Sequence, residues 1–342
     1  MPRNLEEPEL GVVAIGRNEG ERLRICLESV RKQCTHVVYV DSGSKDGSVA
    51  LARSLGVEVV ELDLSTPFTA ARARNEGWRR LRAILPGVAL VQFVDGDCEL
   101  LPGWIPAARE ALRARPGAAV ACGRRRERFR AATIYNRLCD IEWNTPVGEA
   151  EACGGDALMR LDALERVGGF DRGLICGEEP DLCRRLRALG YAVLRIDADM
   201  TLHDAAMTRA SQWWRRSPRT GFGAAESIAR NGGSAPVGDW RCVRGAILWV
   251  GVLPMLLAAG LLVAAWRESA GTALAVGALA LVLVAAQTAR IAARRRSPGE
   301  NAADACLYGA SCMLAKLPQA LGMLRFLRDR ARHVAPRLIE YK

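Results

Sequence analysis

The sequence has no C-x-x-C pair, although it contains eleven cysteines. An odd number of scattered cysteines argues against a disulfide framework, and the missing paired spacing argues against a zinc site. The chain also has little histidine, and its first ten residues, MPRNLEEPEL, are polar and acidic. These absences predict a protein of a reducing compartment that carries no signal peptide.

Internal repeats and low-complexity segments are also absent from the 342 residues, which suffice for one large domain and a smaller appendage. Acidic residues are too few to balance the basic ones, and the formal net charge is +10. A positive net charge favours binding to nucleic acid, acidic lipid or phosphorylated substrates. The arginines cluster around apolar segments instead of forming one stripe, so we expect no nucleic-acid partner.

Strand and helix patterns alternate in the first half of the chain. The apolar runs GVVAIG, HVVYVD, VEVVEL and GVALVQFVD are each followed or preceded by a segment with helical periodicity. This order predicts an α/β fold with a mostly parallel central sheet. Because such sheets bind ligands at the carboxyl ends of their strands, Asp41 and Asp95 are expected at one ligand-binding edge.

Two charge-free runs occur late in the chain, at 245–266 and 269–289. Each is about as long as a bilayer core requires, so we expect two transmembrane helices after the α/β domain. Arginines flank the pair on both outer sides. The positive-inside rule then predicts a multi-pass protein of the cell membrane whose α/β domain and C-terminus lie in the cytoplasm. The stretch 305–327 contains Lys316 and Pro318 and is predicted to lie on the membrane, with a third span as the alternative.

The segment FVDGDCEL carries two aspartates, Asp95 and Asp97, directly after a buried strand. An acidic turn is common, but carboxylates at the end of a parallel strand suit Mg²⁺ or Mn²⁺, which keep coordination sites for phosphate oxygens. Bound to a diphosphate, such a cation neutralises the charge of a departing leaving group. The segment GRNEG adds polar side chains in the same crevice.

Three further segments carry candidate functional groups. GEEPDL places Glu178, Glu179 and Asp181 at a helix start, where they could serve as a general base or only compensate the helix dipole. LHD provides His203, a candidate metal ligand. QWWRR pairs Gln212 and Arg215 with two tryptophans, which suits either a diphosphate contact or an aromatic belt at a membrane interface.

Taken together, the segments VVAIGRNEG, VVYVDSGSKDGS, ARARNEGW, FVDGDCELLPGW, GGDALMRLDALERVGGFDRGLICGEEPDL and LHD resemble, in order and spacing, the family 2 glycosyltransferases. The resemblance covers roughly residues 9–216 and implies a GT-A nucleotide-sugar-binding domain. It therefore implies a nucleotide-sugar donor, such as a UDP- or GDP-sugar, and a divalent cation, Mg²⁺ or Mn²⁺.

The resemblance also implies roles for individual residues. In the nucleotide pocket, Arg17, Asn18 and Glu19 would line the walls, Asp41 would contact the nucleobase and Asp95 would face the ribose. Arg74 and Asn75 would hold the nucleotide or donor sugar, and Gln212 and Arg215 would bind the diphosphate. Asp97 and His203 would serve the metal, and Glu179 would be the catalytic base.

Two positions depart from the family's pattern. The family usually has Asp where Glu179 stands, so Glu178 or Asp181 could contribute to the base instead. The processive members carry Q-x-x-R-W, whereas Arg216 follows Arg215 here. The missing tryptophan, together with only two spans, argues against a polymerase that conducts its product through a channel.

The predicted organisation is a GT-A catalytic domain over 1–210, an interfacial helix and linker over 211–244, two transmembrane helices over 245–289, and a basic cytoplasmic tail with an amphipathic helix over 290–342. The predicted function is inverting sugar transfer to a membrane-embedded, lipid-linked acceptor in polysaccharide or glycolipid biosynthesis. The alternatives are a membrane nucleotidyltransferase, disfavoured because no glycine-rich phosphate loop is present, and a non-catalytic membrane scaffold, disfavoured because the acidic motifs are intact.

Overall fold

The structure is a computed structural model and describes residues 9–295 and 301–334. Nearly all of the acidic N-terminus, Arg296 of the basic segment that follows the second apolar run, and residues 335–342 lie outside that description. The chain divides after Ala206 into two compact units.

The first unit is an α/β unit of nine strands and seven helices. The strands are β1 (Leu10–Gly16), β2 (Val37–Asp41), β3 (Glu58–Glu61), β4 (Leu90–Asp95), β5 (Cys98–Leu100), β6 (Ala118–Glu127), β7 (Gly148–Glu149), β8 (Ala157–Arg160) and β9 (Ala192–His203). The helices are α1 (Glu21–Arg31), α2 (Ser48–Ser54), α3 (Ala70–Ile84), α4 (Trp104–Ala114), α5 (Ile134–Trp143), α6 (Leu161–Arg166) and α7 (Glu178–Ala188).

The strands form one mixed sheet in the order β3-β2-β1-β4-β8-β6-β9-β5, and β7 also pairs with β9. β1 to β4 pair in parallel, as the alternation of strands and helices predicts. β8 then runs antiparallel to both β4 and β6, whereas β6 and β9 are parallel. The α/β prediction is confirmed, and its parallel character is confined to the first half of the sheet and the β6–β9 pair.

The register brings the polar strand ends together. Gly16 at the end of β1 pairs with Asp41 of β2, and the preceding Ile15 pairs with Asp95 of β4. The loops that follow these three strands therefore leave one edge of the sheet side by side. The turn after β4 favours a glycine at position 96, because a Cβ there would lie only 3.1 Å from the carbonyl oxygen of Ile15.

Apolar side chains cover both faces of the sheet. Along β1, Val13 belongs to a core shared with α3, α6 and α7, whereas Val12 and Ala14 belong to a second core shared with α1 and α4. Alternate residues of a strand point to opposite faces, so β1 is apolar throughout because it is buried on both. The two cores fix the strand ends from which the polar loops emerge.

The second unit is helical. Its helices are α8 (Ala210–Asn231), α9 (Val237–Ala246), α10 (Leu253–Trp266), α11 (Ala270–Arg295), α12 (Ala302–Leu314) and α13 (Lys316–Ala331), with a short 3₁₀ turn at Gly232–Ser234 and a π-helical segment at Ile247–Val252. The predicted linker over 211–244 is therefore mostly α8 and α9.

Among the described residues of this unit, two helical stretches are long and apolar enough to cross a membrane, namely Val237–Trp266 and Ala270–Arg295. The first joins α9, the π-helical segment and α10 into one continuous helix. Most of its large apolar side chains are exposed, including Met255 and Leu262, and the same holds for Leu274 and Leu281 of α11. Water is a poor solvent for such surfaces, so their exposure agrees with the predicted spans.

The predicted amphipathic stretch over 305–327 is not one helix but two, α12 and α13, which meet at Ala315. One face of α13 packs on α8, where the Phe222 and Phe326 rings meet edge to face at 5.4 Å. The backbones approach so closely that a Cβ on Gly322 would lie 1.9 Å from the carbonyl oxygen of Pro218. Another face of α13 exposes Leu317, Leu321 and Leu324.

Candidate active site

The two aspartates after β4 have different surroundings. Asp95 faces two arginines, with its Oδ1 2.9 Å from Arg74 and its Oδ2 3.3 Å from Arg125. Although burial acts in the opposite direction, these guanidinium groups hold the pKa of Asp95 below its usual range. Asp97 is 6% exposed and lies against His203. The nearest ion-pair partners of Asp95 are therefore arginines, whereas that of Asp97 is a histidine.

Arg74 of α3 connects the strand end to a helix start. It is 3% exposed, and it donates hydrogen bonds to Asp95 (2.9 Å) and to Glu178 of α7 (2.8 Å). Burial acts to lower the pKa of Arg74, but the charges of Asp95 and Glu178 outweigh it and raise this pKa above its usual value. The side chain is therefore a permanent cation. The fork of a guanidinium is suited to holding two carboxylates in one plane.

Glu179 follows Glu178 on α7 and is held by a backbone hydrogen bond. Its Oε1 accepts a hydrogen bond of 2.7 Å from the backbone N–H of Gly154. Burial raises the pKa of Glu179 to about 7, with the N–H of Gly154 acting against the shift and the neighbouring Glu178 adding to it. A carboxylate with this pKa can accept a proton near neutral pH.

Asp181, also proposed as a contributor to the base, is directed elsewhere. Its two carboxylate oxygens accept hydrogen bonds from Arg184 (2.9 Å) and Arg185 (2.8 Å) of the same helix. Asp181 therefore stabilises the first turn of α7, and its contribution to the base stays a prediction.

His203 ends β9 beside Asp97. Its Nε2 lies 3.3 Å from Asp97 Oδ2, and its Nδ1 lies 3.7 Å from Glu127 Oε2. The ligand atoms of Asp97, His203 and Cys98 all fall within 4.8 Å of one another. A carboxylate oxygen and an imidazole nitrogen at this spacing fit a Mn²⁺ or Mg²⁺ ion that keeps its remaining positions for phosphate oxygens and water.

The loops after β1 and β2 hold each other. Asn18 adopts a left-handed conformation, with φ 55°, and its Oδ1 accepts a hydrogen bond of 2.7 Å from Lys45 N–H. Asp41 is 2% exposed, and its carboxylate accepts hydrogen bonds from Tyr39 Oη, Gly43 N–H and Ser44 N–H. Asp41 thus shapes the loop at the strand end instead of projecting from it.

The other two residues of GRNEG occupy the same edge. The Arg17 guanidinium lies over the Phe68 ring at 4.5 Å. Glu19 forms an ion pair of 2.8 Å with Arg22. Both positions are partly exposed, so their side chains border the crevice without filling it.

Asn75 is buried and fully engaged. Its Nδ2 donates to the carbonyl of Phe170 (2.7 Å), and its Oδ1 accepts from Phe170 N–H and Trp78 Nε1–H, each at 3.0 Å. This side chain fastens the segment before α7 to α3, and the expected contact of Asn75 with the nucleotide or donor sugar stays a prediction.

Gln212 and Arg215 lie on α8 in the second unit. The Oε1 of Gln212 accepts hydrogen bonds from the backbone N–H groups of Thr208 (2.8 Å) and Arg209 (3.0 Å), which completes the N-terminal turn of α8. Arg215 is exposed. Gln212 therefore caps α8, and the expected diphosphate contact of Gln212 and Arg215 stays a prediction.

The sequence reasoning missed two charged residues of the site. Asp156 has no exposed surface and accepts from Asp95 N–H (2.9 Å) and Thr201 Oγ1 (2.8 Å), and it pairs with Arg125 at 2.9 Å. Arg125 also stands over the Trp143 ring at 5.5 Å. The available signals were the aspartate directly before the apolar β8 and the arginines that end the apolar β6.

Comparison with known proteins identifies similar sequences and a similar fold. Residues 12–167 match the model of the family described as glycosyl transferase family 2. Glycosyltransferase AglE of Haloferax volcanii is 24% identical over 199 residues, which cover 54% of this chain and 64% of the relative. A TPR repeat-containing protein of Synechococcus elongatus is 34% identical over 196 residues, which cover 46% of each chain. The chain thus spans less than two thirds of either curated relative.

Among solved structures, the fold resembles that of a mannosyltransferase from Pyrobaculum calidifontis. The TM-score is 0.58 at 21% sequence identity, and the match covers 93% of this chain and 88% of the other. At this identity the similarity establishes the fold.

Proposed function

Because residues 12–167 match the model of glycosyl transferase family 2 and the fold resembles that of a mannosyltransferase, we propose that the protein is an inverting, metal-dependent glycosyltransferase on a GT-A fold. It moves a sugar from a nucleotide-diphosphate donor to an acceptor hydroxyl. The observation that carries this proposal is one edge of the sheet that holds a carboxylate–imidazole pair, Asp97 and His203, and a carboxylate of raised pKa, Glu179.

Glu179 is proposed as the general base. It takes the proton from the acceptor hydroxyl, whose oxygen attacks the anomeric carbon from the face opposite the departing diphosphate. The hydrogen bond from Gly154 N–H fixes one carboxylate oxygen at 2.7 Å, so the other oxygen can receive the proton. Glu178 is engaged by Arg74, and we assign it a supporting role.

Asp97 and His203 are proposed to hold the divalent cation, Mg²⁺ or Mn²⁺. Once bound, the cation supplies positive charge to the diphosphate leaving group. The cation seen with GDP-Man in the Pyrobaculum mannosyltransferase is Mn²⁺, which supports the same class of donor and metal here. Asp95 is oriented by Arg74 and Arg125 and is proposed to face the ribose.

The nucleotide is proposed to lie along the loops after β1 and β2. Asn18 and Asp41 hold those loops through Lys45, Gly43 and Ser44, so they define the surface that the base would contact. Arg17 and Glu19 would border the pocket. The donor class remains a UDP- or GDP-sugar.

The two apolar helices support the proposal that the protein lies in the cell membrane with its first unit and C-terminus in the cytoplasm. The exposed leucine face of α13 would rest at the lipid interface. A lipid-linked or otherwise membrane-embedded acceptor follows from this placement, because an acceptor at the bilayer surface would meet the enzyme there.

The test is a screen of purified full-length protein against UDP- and GDP-sugars with Mn²⁺ and lipid-linked acceptors. We expect transfer with release of a nucleoside diphosphate and inversion at the anomeric carbon. Release of pyrophosphate would indicate the nucleotidyltransferase alternative. Failure of every donor to bind in calorimetry would favour the scaffold alternative.

A further inference from the structure

Two thiols lie beside the carboxylate of the proposed base, Glu179. Cys183 follows Glu179 by four residues on α7, so both project from one face of the helix. Cys153 lies beside Gly154, whose N–H binds Glu179. The Sγ atoms of Cys153 and Cys183 are 3.6 Å apart, and the ligand atoms of all three side chains lie within 4.8 Å of one another.

This donor set has the dimensions of a metal site. In tetrahedral coordination with Zn–S bonds of about 2.3 Å, two sulfur ligands stand roughly 3.8 Å apart, close to the separation of these two thiols. Thiolate sulfur selects Zn²⁺ and related thiophilic cations over Mn²⁺ and Mg²⁺, which prefer oxygen. The cluster therefore differs in selectivity from the Asp97 and His203 site.

The cluster is buried except at Glu179. Cys183 has no exposed surface and Cys153 is 7% exposed, whereas Glu179 is partly exposed. On binding, a divalent cation would displace the two thiol protons to solvent and face two thiolates and a carboxylate, one negative charge more than it neutralises. The guanidinium groups of Arg74 and Arg125, which also pair with Asp95, act on Glu179.

We propose that Cys153, Glu179 and Cys183 form an inhibitory site for a thiophilic divalent cation such as Zn²⁺. A cation bound there occupies the Glu179 carboxylate, so the proposed base can no longer accept the acceptor's proton. The inhibitory half rests on the proposed function, whereas the binding half stands on the cluster alone.

The binding half is tested on the wild-type protein in a non-thiol reductant, with one equivalent of Zn²⁺ and X-ray absorption spectroscopy. The site predicts two sulfur ligands at about 2.3 Å together with oxygen. A spectrum with no sulfur ligand, or with one, would overturn the proposal. One sulfur would point to Cys98 in the Asp97 cluster instead.

Variants locate the site. Cys153→Ser and Cys183→Ser should each weaken Zn²⁺ affinity by more than the ~10–100-fold typical of losing an outer-shell partner. Cys139→Ser is the matched control, because Cys139 is also buried, at 1% exposure, but belongs to α5 outside the cluster. Equal affinities in all three variants would contradict the assignment, and circular dichroism confirms that each variant is folded.

The inhibitory half is tested in the transfer assay with saturating Mn²⁺. Micromolar Zn²⁺ should inhibit the wild type and the Cys139→Ser variant but spare Cys153→Ser and Cys183→Ser. Equal inhibition of all four proteins would refute it. If no donor supports transfer, the proposed function fails, whereas the absorption spectrum still decides whether the site exists.

Discussion

Asp95 and Asp97 are separated by one residue, yet their side chains contact different basic groups. Asp95 is held by two permanent cations, Arg74 and Arg125, and Asp97 faces an imidazole. Two neighbouring carboxylates repel each other, and the surrounding cations offset this repulsion. The contact of Asp97 with an imidazole is the observation behind its proposed role as a metal ligand.

Glu179 predicts a pH dependence of transfer. Its pKa is raised to about 7, so the carboxyl is protonated below that pH and cannot act as a base. We expect kcat/KM to fall about tenfold for each pH unit below 7 and to level off above it. Glu179→Gln should lower kcat by about 10²–10⁴-fold and abolish this acidic limb. Retention of the limb in the variant would assign it to another group.

Glu127 is predicted to position His203. Its Oε2 lies 3.7 Å from His203 Nδ1 and accepts a hydrogen bond from Ala205 N–H. Carboxylates behind a ligating histidine orient the ring, so Glu127→Gln should weaken Mn²⁺ binding by about 10–100-fold, measured by calorimetry. The exposed Glu110→Gln serves as the control. Unchanged affinity in Glu127→Gln would argue against the positioning role.

For single residues, the sequence predicted which positions lie near the site better than it predicted their hydrogen-bond and ion-pair partners. Asp97 and His203 were both expected at the metal, and the structure places them 3.3 Å apart. Asn75 was expected at the site from the resemblance and Asp181 from its place at a helix start, and the sequence did not predict the hydrogen bonds that both form within the protein scaffold. Arg125 escaped notice because its partner Asp156 is distant in the sequence, and only the folded sheet joins them.

Among the elements, the loop before β8 sets how tightly the ionic network can pack. A Cβ on Gly155 would lie 2.6 Å from Asp95 Oδ2 and 3.0 Å from the guanidinium nitrogens of Arg74 and Arg125. The glycine thus allows three charged side chains to meet against the backbone.

Gly155→Ala is therefore expected to reduce transfer without removing any functional group. Overpacking of this kind costs about 1–3 kcal/mol and would displace Arg74 from Asp95. Donor affinity and thermal stability should both fall. Gly117→Ala is the matched control, since a Cβ there meets nothing within 4 Å. Wild-type donor affinity in Gly155→Ala would show that the network tolerates displacement.

The sheet was predictable in one half only. β1 to β4 follow the strand–helix alternation, so their parallel pairing could be inferred from the sequence. The pairing of β6 with β9 contains register shifts, and the strands are far apart along the chain. Such irregular, non-local pairing leaves no periodic signal in the sequence, although it is what brings Glu127 opposite His203.

For the molecule as a whole, the proposed topology predicts which cysteines an impermeant maleimide can reach. Cys306 is exposed in the structure and would lie on the cytoplasmic side. It should be labelled only after cells are permeabilised. Arg267→Cys, in the exposed link between the two apolar helices, should be labelled in intact cells. Labelling of wild-type Cys306 in intact cells would show that the orientation in the membrane is the reverse of the proposed one.

The central claim is that Asp97 binds a divalent cation that sugar transfer requires. The direct measurement is nucleoside diphosphate release by purified full-length protein, titrated with Mn²⁺, for the wild type, Asp97→Ala and the exposed control Asp162→Ala. We predict saturable Mn²⁺ dependence in the wild type and control, and a loss of at least about 10²-fold in Asp97→Ala. Full transfer by Asp97→Ala, or transfer by the wild type in a chelator, would contradict the claim.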